Sequence, residues 1–96
     1  MLFVISAIDK PDSRELRAST RPAHLDYVRE TGAVRLGGPF LDESGGMIGS
    51  MLIIEAADFA AAKQWQANDP FAKAGLFARS ELAPWKATVN FCKAEF

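Results

Sequence analysis

The segment AVRLGGPFLDESGGMIGSMLIIEA, residues 33–56, decides the fold because it places a short polar turn between two apolar runs. Residues 33–41 and 47–56 are predicted strands, since apolar and β-branched side chains dominate them. The turn at 42–46 is rich in Gly, Asp and Ser, and it is short enough that the two strands must pair as an antiparallel hairpin. The sequence GGP at 37–39 would weaken a central strand, which predicts a bulge or an edge position there.

The residues before this hairpin predict a strand followed by a long helix. Residues 2–8, LFVISAI, are apolar on both faces of an extended chain and therefore indicate a central strand. Asp12 or Ser13 is expected to cap the helix that follows. Gly32 is expected to end that helix, at about Thr31.

The residues after the hairpin predict a second helix and a fourth strand. Asp58 is positioned to cap a helix over 59–68, and Pro70 ends it. Residues 71–74 can form one further turn, and 76–82 read as the last strand. The predicted order of elements is therefore β-α-β-β-α-β.

This order is that of the ferredoxin-like α+β fold, in which two helices cover one face of a four-stranded antiparallel sheet. The length of 96 residues suits one such domain, 1–96. The strands are apolar on both faces, so the uncovered face predicts a homodimer whose sheets pack face to face. Beyond Pro84, the alternation of Ala87, Val89 and Phe91 with polar residues predicts either a further edge strand or a tail that reaches a partner.

The overall composition argues against several classes of protein. A hydrophobic content of 49% with 24% charged residues is ordinary for a soluble globular chain, and a net charge of −1 argues against a nucleic-acid surface. No apolar run approaches the roughly 20 residues of a membrane span, and the start of the chain lacks the basic segment of a signal peptide. The lone Cys92 favours a reducing cytoplasm, and one His with one Cys gives no metal-binding spacing. We therefore expect a cytoplasmic protein that uses no metal or other cofactor and binds neither nucleic acid nor a membrane.

The first helix carries an unusual polar row. Arg17, Arg21, His24 and Val28 fall within roughly 60° of one another on a helix, and the flanking apolar residues turn that row inward. Inward-facing polar side chains need protein partners or a ligand. Pro22 complicates the row, because a proline inside a helix either bends it or splits it into two pieces. Arg21 and His24 stay close in both cases.

His24, the single histidine, is the leading candidate for acid or base chemistry, because only histidine has an unperturbed pKa near neutrality. A buried structural histidine bonded to a backbone carbonyl is the alternative. Arg21 beside it would lower the pKa of His24 and favour the neutral ring. Asp69, just before Pro70, is typical of a helix N-cap, and a capped carboxylate also has an oxygen left to orient His24.

Further candidates would bind rather than react. Arg17 and Arg21 suit an anionic group, since a guanidinium matches a carboxylate with two hydrogen bonds; ion pairs with Glu15 or Glu30 are the alternative.

Glycines and a proline interrupt both strands of the hairpin, at 37–39 and 49–50. They indicate close approach of the backbone to a ligand or to the overlying helix. If it is a ligand, Pro39 and Ser50 join the arginines in binding it.

A set of residues spread through the chain is Arg17, Arg21, His24-Leu25, Gly38-Pro39, Gly49-Ser50, Trp65, Asp69-Pro70-Phe71, Ala74-Gly75 and Pro84-Trp85. In this order they resemble the YciI-like (YCII-related) family over essentially the whole chain. The DPF segment combined with a histidine on the first helix is the most specific part. Pro22 and the tail at 91–96 depart from the family's pattern.

The resemblance implies a dimeric α+β barrel of ferredoxin-like subunits and an active site that pairs His24 with Asp69. The wider family is similar to small isomerases and to dehydrochlorinating enzymes acting on ring-derived compounds. The leading hypothesis is therefore a cofactor-free acid/base enzyme of isomerase or lyase type, acting on a small, anionic molecule. A module that binds such a molecule without turnover, and a purely structural dimerisation unit, are the alternatives.

Overall fold

The structure, a computed structural model, describes residues 1–96 and contains four strands, two long helices and one single-turn helix. In chain order the elements are β1 (Leu2–Asp9), α1 (Arg14–Thr31), β2 (Val34–Leu41), β3 (Met47–Glu55), α2 (Phe59–Asn68), α3 (Pro70–Lys73) and β4 (Phe77–Pro84). This is the predicted order, and α3 is the further turn expected after α2. The predicted α+β class is confirmed.

The four strands form one antiparallel sheet in the order β2-β3-β1-β4. β1 lies in the centre and β2 at an edge, as predicted. β2 and β3 pair as the expected hairpin, and the register of β2 shifts near both of its ends. The edge position of β4 explains why Pro84 belongs to it although the prediction stopped at residue 82, because an edge residue without an N–H costs no ladder hydrogen bond on its free side.

Asp42 organises the hairpin turn. Its Oδ1 accepts hydrogen bonds from the Ser44 hydroxyl at 2.8 Å, the Ser44 backbone N–H at 2.9 Å and the Gly46 backbone N–H at 2.8 Å. The hydrogen bond from the Ser44 hydroxyl, followed by that from the Gly46 amide, lowers the pKa of the Asp42 carboxyl. A polar side chain thus replaces the backbone partners that the turn residues lack.

Helix α1 is a single continuous helix with Pro22 inside it, so the alternative of two separate pieces is not observed. Gly32 ends the helix as predicted, with a left-handed φ of 63° and its N–H bonded to the Val28 carbonyl at 3.2 Å. The predicted side-chain cap at the start is wrong, because Ser13 occupies the N-cap position without making a capping hydrogen bond. Its hydroxyl lies 3.4 Å from the Pro11 carbonyl instead.

The core lies between the sheet and the helices. Phe3 pairs with Ile54 and Ile5 with Leu52 across β1 and β3, and all four side chains are buried beneath Trp65 of α2. Burial of each such side chain contributes about 1.5–3 kcal/mol.

The face of the sheet that carries these core residues also carries a polar residue, Ser50. One pair further along, Ser50 lies opposite Ala7, so its side chain faces the helices and is buried. The core layer therefore ends in a hydroxyl beneath α1, and this is where the candidate site begins.

The opposite face of the sheet carries no helix. Val4, Ile53 and Leu36 form one row across it, and the side chain of Leu36 at its edge is 46% exposed. No helix in the structure is long and apolar enough to cross a membrane.

The tail after β4 forms neither helix nor strand, so the edge strand, one of the two alternatives predicted for it, is not observed. Asn90 explains this, because its side chain bonds both the N–H and the carbonyl of Ala94 and closes a turn in which Lys93 has a φ of 56°. The extended alternation is broken there. The last residue, Phe96, folds back so that its ring lies 5.8 Å from that of Trp85.

Two glycines of the hairpin give a matched test of this packing. A Cβ added at Gly49 would overlap the Ala7 carbonyl oxygen inside the sheet, whereas no atom lies within 4 Å of a Cβ added at Gly38. We expect Gly49→Ala to lower the free energy of unfolding by about 1–3 kcal/mol, and Gly38→Ala to change it by less than about 0.5 kcal/mol. Urea unfolding measures both, and equal effects would contradict the described register.

Candidate active site

A hydrogen bond between His24 and Asp69 forms the centre of the candidate site. His24 lies on the buried face of α1, and its Nδ1 is 2.8 Å from Oδ1 of Asp69, which immediately precedes α3. Both side chains are buried. The same Oδ1 accepts the backbone N–H of Phe71 at 3.0 Å. Asp69 thus caps α3 and contacts His24 at once, so the two roles considered for it from the sequence occur together.

This hydrogen bond determines which nitrogen of His24 is left without a protein partner. An ionised carboxylate is an acceptor only, so the neutral ring places its proton on Nδ1 and donates it to Asp69. Nε2 makes no hydrogen bond to the protein. Its lone pair is therefore free to accept a proton from a molecule beside the ring.

Phe71 holds the plane of the His24 ring. The two ring centroids are 4.2 Å apart and the ring planes differ by 17°, and Phe71 is almost completely buried. A hydrogen bond at one edge and a stacked ring on one face leave the imidazole little freedom to rotate. This role of Phe71 was not predicted from the sequence. The available signal was its position directly after Asp69 and Pro70, where a cap fixes the backbone.

Arg17 is buried and has a partner that the sequence analysis missed. Its Nε donates to Oδ2 of Asp9 at 2.7 Å and its Nη2 to Oδ1 of Asp9 at 2.9 Å. Nη2 also donates to the Ser50 hydroxyl at 2.9 Å, and the guanidinium carbon lies 4.7 Å from the centre of the Phe71 ring. The ion pair therefore joins α1 to β1, whereas Glu15 and Glu30, the partners considered from the sequence, are exposed.

Arg21 lies one turn further along α1, and it differs from Arg17 in its burial and in its ion pairing. It is exposed, and no carboxylate forms a salt bridge with it. Its charge is therefore available to a bound anion.

A cavity of about 220 Å³ opens between α1 and the β2–β3 hairpin, and we call it the α1 cavity. Its volume is below the roughly 300–1,000 Å³ typical of sites for drug-sized ligands, while an engineered apolar cavity of about 150 Å³ in another protein holds benzene. It therefore suits a single ring with a few substituents. The residues that line it are Arg17, Arg21, His24, Leu25, Val28, Val34, Gly37, Gly38, Pro39, Met47, Ser50, Leu52 and Phe71.

The lining brings together most of the residues singled out from the sequence. Arg17, Arg21, His24, Pro39 and Ser50 all contribute to it, and Asp69 lies behind His24, bonded to its ring. No group of three or more His, Cys, Asp or Glu side chains is placed to hold a metal ion.

The close approach at Gly37 also has a structural cause. A Cβ there would overlap the Leu52 side chain, so this glycine lets the edge strand pack tightly against β3.

Tyr27 supports the site from the far side of His24. Its hydroxyl donates to the Trp65 carbonyl at 2.9 Å, which is one of the carbonyls left free at the end of α2. Burial raises the pKa of the Tyr27 hydroxyl above its usual range, and the charge of Asp69 raises it further. This bond fixes α1 against the end of α2, directly before Asp69 in the chain.

Comparisons with known proteins match most of the chain. The model of the YCII-related domain family matches residues 1–86. Protein YciI of Escherichia coli O6:H1 is 37% identical over 95 residues, which cover 90% of this chain and 97% of that protein. An uncharacterised protein of Haemophilus influenzae is 33% identical with the same coverage.

Solved structures resemble both the fold and the sequence. The 5-chloro-2-hydroxyhydroquinone dehydrochlorinase TftG of Burkholderia phenoliruptrix AC1100, solved in complex with 2,5-dihydroxybenzoquinone, superimposes with a TM-score of 0.82 at 38% identity, covering 90% of this chain and 94% of that chain. An antibiotic biosynthesis monooxygenase superimposes with a TM-score of 0.58 at 18% identity, covering 93% and 100%. The second likeness concerns the fold alone.

Tyr27 is the only tyrosine of the chain, so the change in ultraviolet absorbance when its hydroxyl ionises reports on its surroundings, including Asp69. The pKa of the Tyr27 hydroxyl is about 10 in an unfolded chain and is raised in the folded protein. The folded protein therefore keeps the associated free energy of unfolding below about pH 10 and loses it as the pH rises through the raised pKa. We expect the absorbance titration of folded protein to have its midpoint above pH 10, and that of protein in urea to lie near it.

Substitution identifies the source of this shift. Asp69→Asn should lower the midpoint of Tyr27 without abolishing the shift, because burial remains the larger cause. Asp26→Asn, which changes an exposed carboxylate on the same helix, should leave the midpoint in place. A folded midpoint equal to that in urea would contradict the described surroundings of Tyr27.

Proposed function

This chain belongs to the YCII-related domain family, and on that basis we propose that it is a cofactor-free acid/base enzyme of isomerase or lyase type acting on a small, anionic molecule. The observation that carries the proposal is the hydrogen bond from His24 Nδ1 to Asp69, which leaves Nε2 without a protein partner beside the α1 cavity. A positioned base of this kind contributes typically 10²- to 10⁴-fold to a rate.

In the proposed reaction, His24 Nε2 takes a proton from the bound molecule and becomes an imidazolium. Asp69 stabilises that cation, because its carboxylate accepts the Nδ1 hydrogen throughout. The proton then returns to a different atom of the molecule, which gives an isomerisation, or goes to a leaving group, which gives an elimination.

The remaining residues of the α1 cavity bind the molecule in this proposal. Arg21 is the anchor for an anionic group, because its charge has no carboxylate partner in the protein. Arg17 already shares its charge with Asp9, so it adds less net attraction. Pro39 and Ser50 form the wall that the hairpin presents to the molecule.

A ring-derived substrate fits both the size of the cavity and the likeness to TftG. The 220 Å³ cavity admits one substituted ring, and Phe71 and the aliphatic residues of the lining supply apolar contacts for it. TftG, at 38% identity, is a dehydrochlorinase solved with 2,5-dihydroxybenzoquinone. We therefore include hydroxylated and halogenated hydroquinones among the first compounds to test.

Turnover separates an enzyme from a binding module. Compounds of this class that raise the melting temperature should be converted by wild-type protein, and His24→Gln should lower kcat/KM by about 10²- to 10⁴-fold while binding persists. Asp69→Asn should lower kcat, because it removes the negative charge that stabilises the imidazolium of His24. Asp26→Asn is the exposed control and should keep wild-type activity. Binding without any product from wild type would favour the non-catalytic module.

We further propose a homodimer in which the open faces of two sheets pack together, giving the α+β barrel expected from the sequence. Support comes from the apolar row of Val4, Ile53 and Leu36 on that face, where the exposed Leu36 lies at the edge strand. Ile53 is only 3% exposed within one chain, so Leu36 is the member of this row that a second sheet would cover.

Light scattering after gel filtration tests the dimer. Wild-type protein should have twice the mass of one chain, and Leu36→Glu should shift it to the monomer because the carboxylate would be buried in the interface. Leu16→Glu is the matched control, since Leu16 is a similarly exposed leucine on α1, away from the open face. A monomeric wild type, or a Leu36→Glu protein that remains dimeric, would contradict this arrangement.

A further inference from the structure

The hydroxyl of Ser50 has a hydrogen that no protein atom accepts. Arg17 Nη2 donates to its oxygen at 2.9 Å, and this occupies one of the two lone pairs that a hydroxyl offers. No hydrogen bond donated by Ser50 exists in the protein, although the residue is only 5% exposed. Because Ser50 lines the α1 cavity, a molecule in that cavity can accept this hydrogen.

Arg17 is held so firmly that it fixes the direction of this hydroxyl. Two hydrogen bonds join its guanidinium to the two oxygens of Asp9, and the side chains of both partners are 6% exposed. Phe71 packs against the guanidinium at 4.7 Å. A cation that donates to a hydroxyl oxygen also polarises the O–H bond and makes it a better donor.

From this geometry we propose that Ser50 donates a hydrogen bond to an anionic oxygen of the bound molecule, and that Asp9 and Arg17 are positioning residues for that donor. This inference rests on the proposed function and specifies its substrate class as small rings that carry a hydroxyl or keto oxygen. When His24 Nε2 removes a proton from such a ring, the electron pair of the broken bond moves onto that oxygen. Ser50 keeps its own proton and stabilises the charge through the hydrogen bond.

The alternative role of Ser50 as a nucleophile does not fit its surroundings. A serine nucleophile needs a neighbouring base to take its proton. The polar group bonded to Ser50 is a guanidinium, which has no acceptor, and His24 Nε2 makes no hydrogen bond to the Ser50 hydroxyl.

Two nitro-substituted rings test the proposal without any need for turnover. Para-nitrophenol becomes an anion whose absorbance reports its ionisation, whereas para-nitroanisole cannot ionise. Wild-type protein should bind para-nitrophenolate more tightly than para-nitroanisole, and the apparent pKa of bound para-nitrophenol should therefore lie below that of the free compound.

Substitution then identifies the donor. Ser50→Ala should weaken the binding of para-nitrophenolate about tenfold and change the binding of para-nitroanisole less than twofold, because a hydrogen bond to a charged group is lost while the cavity is kept. Ser50→Thr keeps the hydroxyl and should restore the preference. Binding of para-nitroanisole also shows that each variant is folded.

A double-mutant cycle tests whether Arg17 acts by positioning the Ser50 hydroxyl or by its own charge. Arg17→Lys keeps the charge but replaces the planar fork, whose two nitrogens bond Asp9 and the Ser50 hydroxyl, with a single ammonium nitrogen. It should cost as much phenolate affinity as Ser50→Ala, and the double variant should lose no more than either single variant. Full additivity would assign Arg17 an independent role and would overturn the positioning claim.

Other outcomes overturn the inference directly. If Ser50→Ala keeps the wild-type preference for phenolate, the hydroxyl serves only to pair with Arg17. If wild-type protein binds neither ring, the substrate class is wrong. If the preference depends on Ser50 but no compound is turned over, the inference holds and the proposed enzymatic function fails. If turnover depends on His24 but phenolate binding does not depend on Ser50, only the inference fails.

Discussion

The constraint on which this structure depends is the burial of two polar side chains on one face of α1. Arg17 and His24 lie two turns apart beneath the helix, where an unpaired polar group is costly. Each is matched by one carboxylate, Asp9 from β1 and Asp69 from the start of α3. Loss of either carboxylate would leave its partner buried without compensation, which is far more destabilising than the pair itself is stabilising.

These two pairs also explain why the helix, the sheet and α3 meet where they do. Phe71 contacts both the guanidinium of Arg17 and the ring of His24, so a single aromatic residue joins the two pairs. The Tyr27 hydroxyl adds a third attachment, to the end of α2. The α1 cavity lies on the side of these contacts that faces the hairpin, and its polar lining is therefore held rigidly by bonds that serve the fold.

The parts of the fold predicted correctly are those with local causes. The hairpin follows from a turn whose Asp42 bonds its own neighbours, and the ends of helices follow from Gly32 and from Asp58, whose side chain accepts the Ala61 N–H at 2.8 Å. The features that were not predicted depend on contacts that the residue pattern does not reveal. Asn90 closes a turn that the apolar alternation of the tail did not reveal. The sequence also left open whether Pro22 splits α1, and the helix is continuous because its buried face is fixed by tertiary contacts.

The site was only partly predictable for a related reason. Helical spacing correctly placed Arg17 and His24 on the buried face of α1, but it also predicted an inward-facing Arg21, which is exposed. The contact of His24 with Asp69 was considered because Asp69 had a local role as a cap. Asp9 gave no such signal, because its importance comes from where β1 ends in space. Phe71 was marked only by its position directly after Asp69 and Pro70, which does not reveal its contacts with His24 and Arg17. The dehydrochlorinase TftG and the antibiotic biosynthesis monooxygenase both superimpose on this fold, so the scaffold does not by itself determine the chemistry.

The central claim is that His24 carries its hydrogen on Nδ1, bonded to Asp69, and presents a bare Nε2 to the α1 cavity. Because the chain has one histidine, a nitrogen-detected NMR spectrum of the ring contains no other imidazole signals. At a pH where the ring is neutral, we expect Nδ1 to have the shift of a protonated nitrogen and Nε2 that of an unprotonated one. A spectrum with the proton on Nε2, or with both nitrogens averaged by rapid exchange between tautomers, would contradict this account.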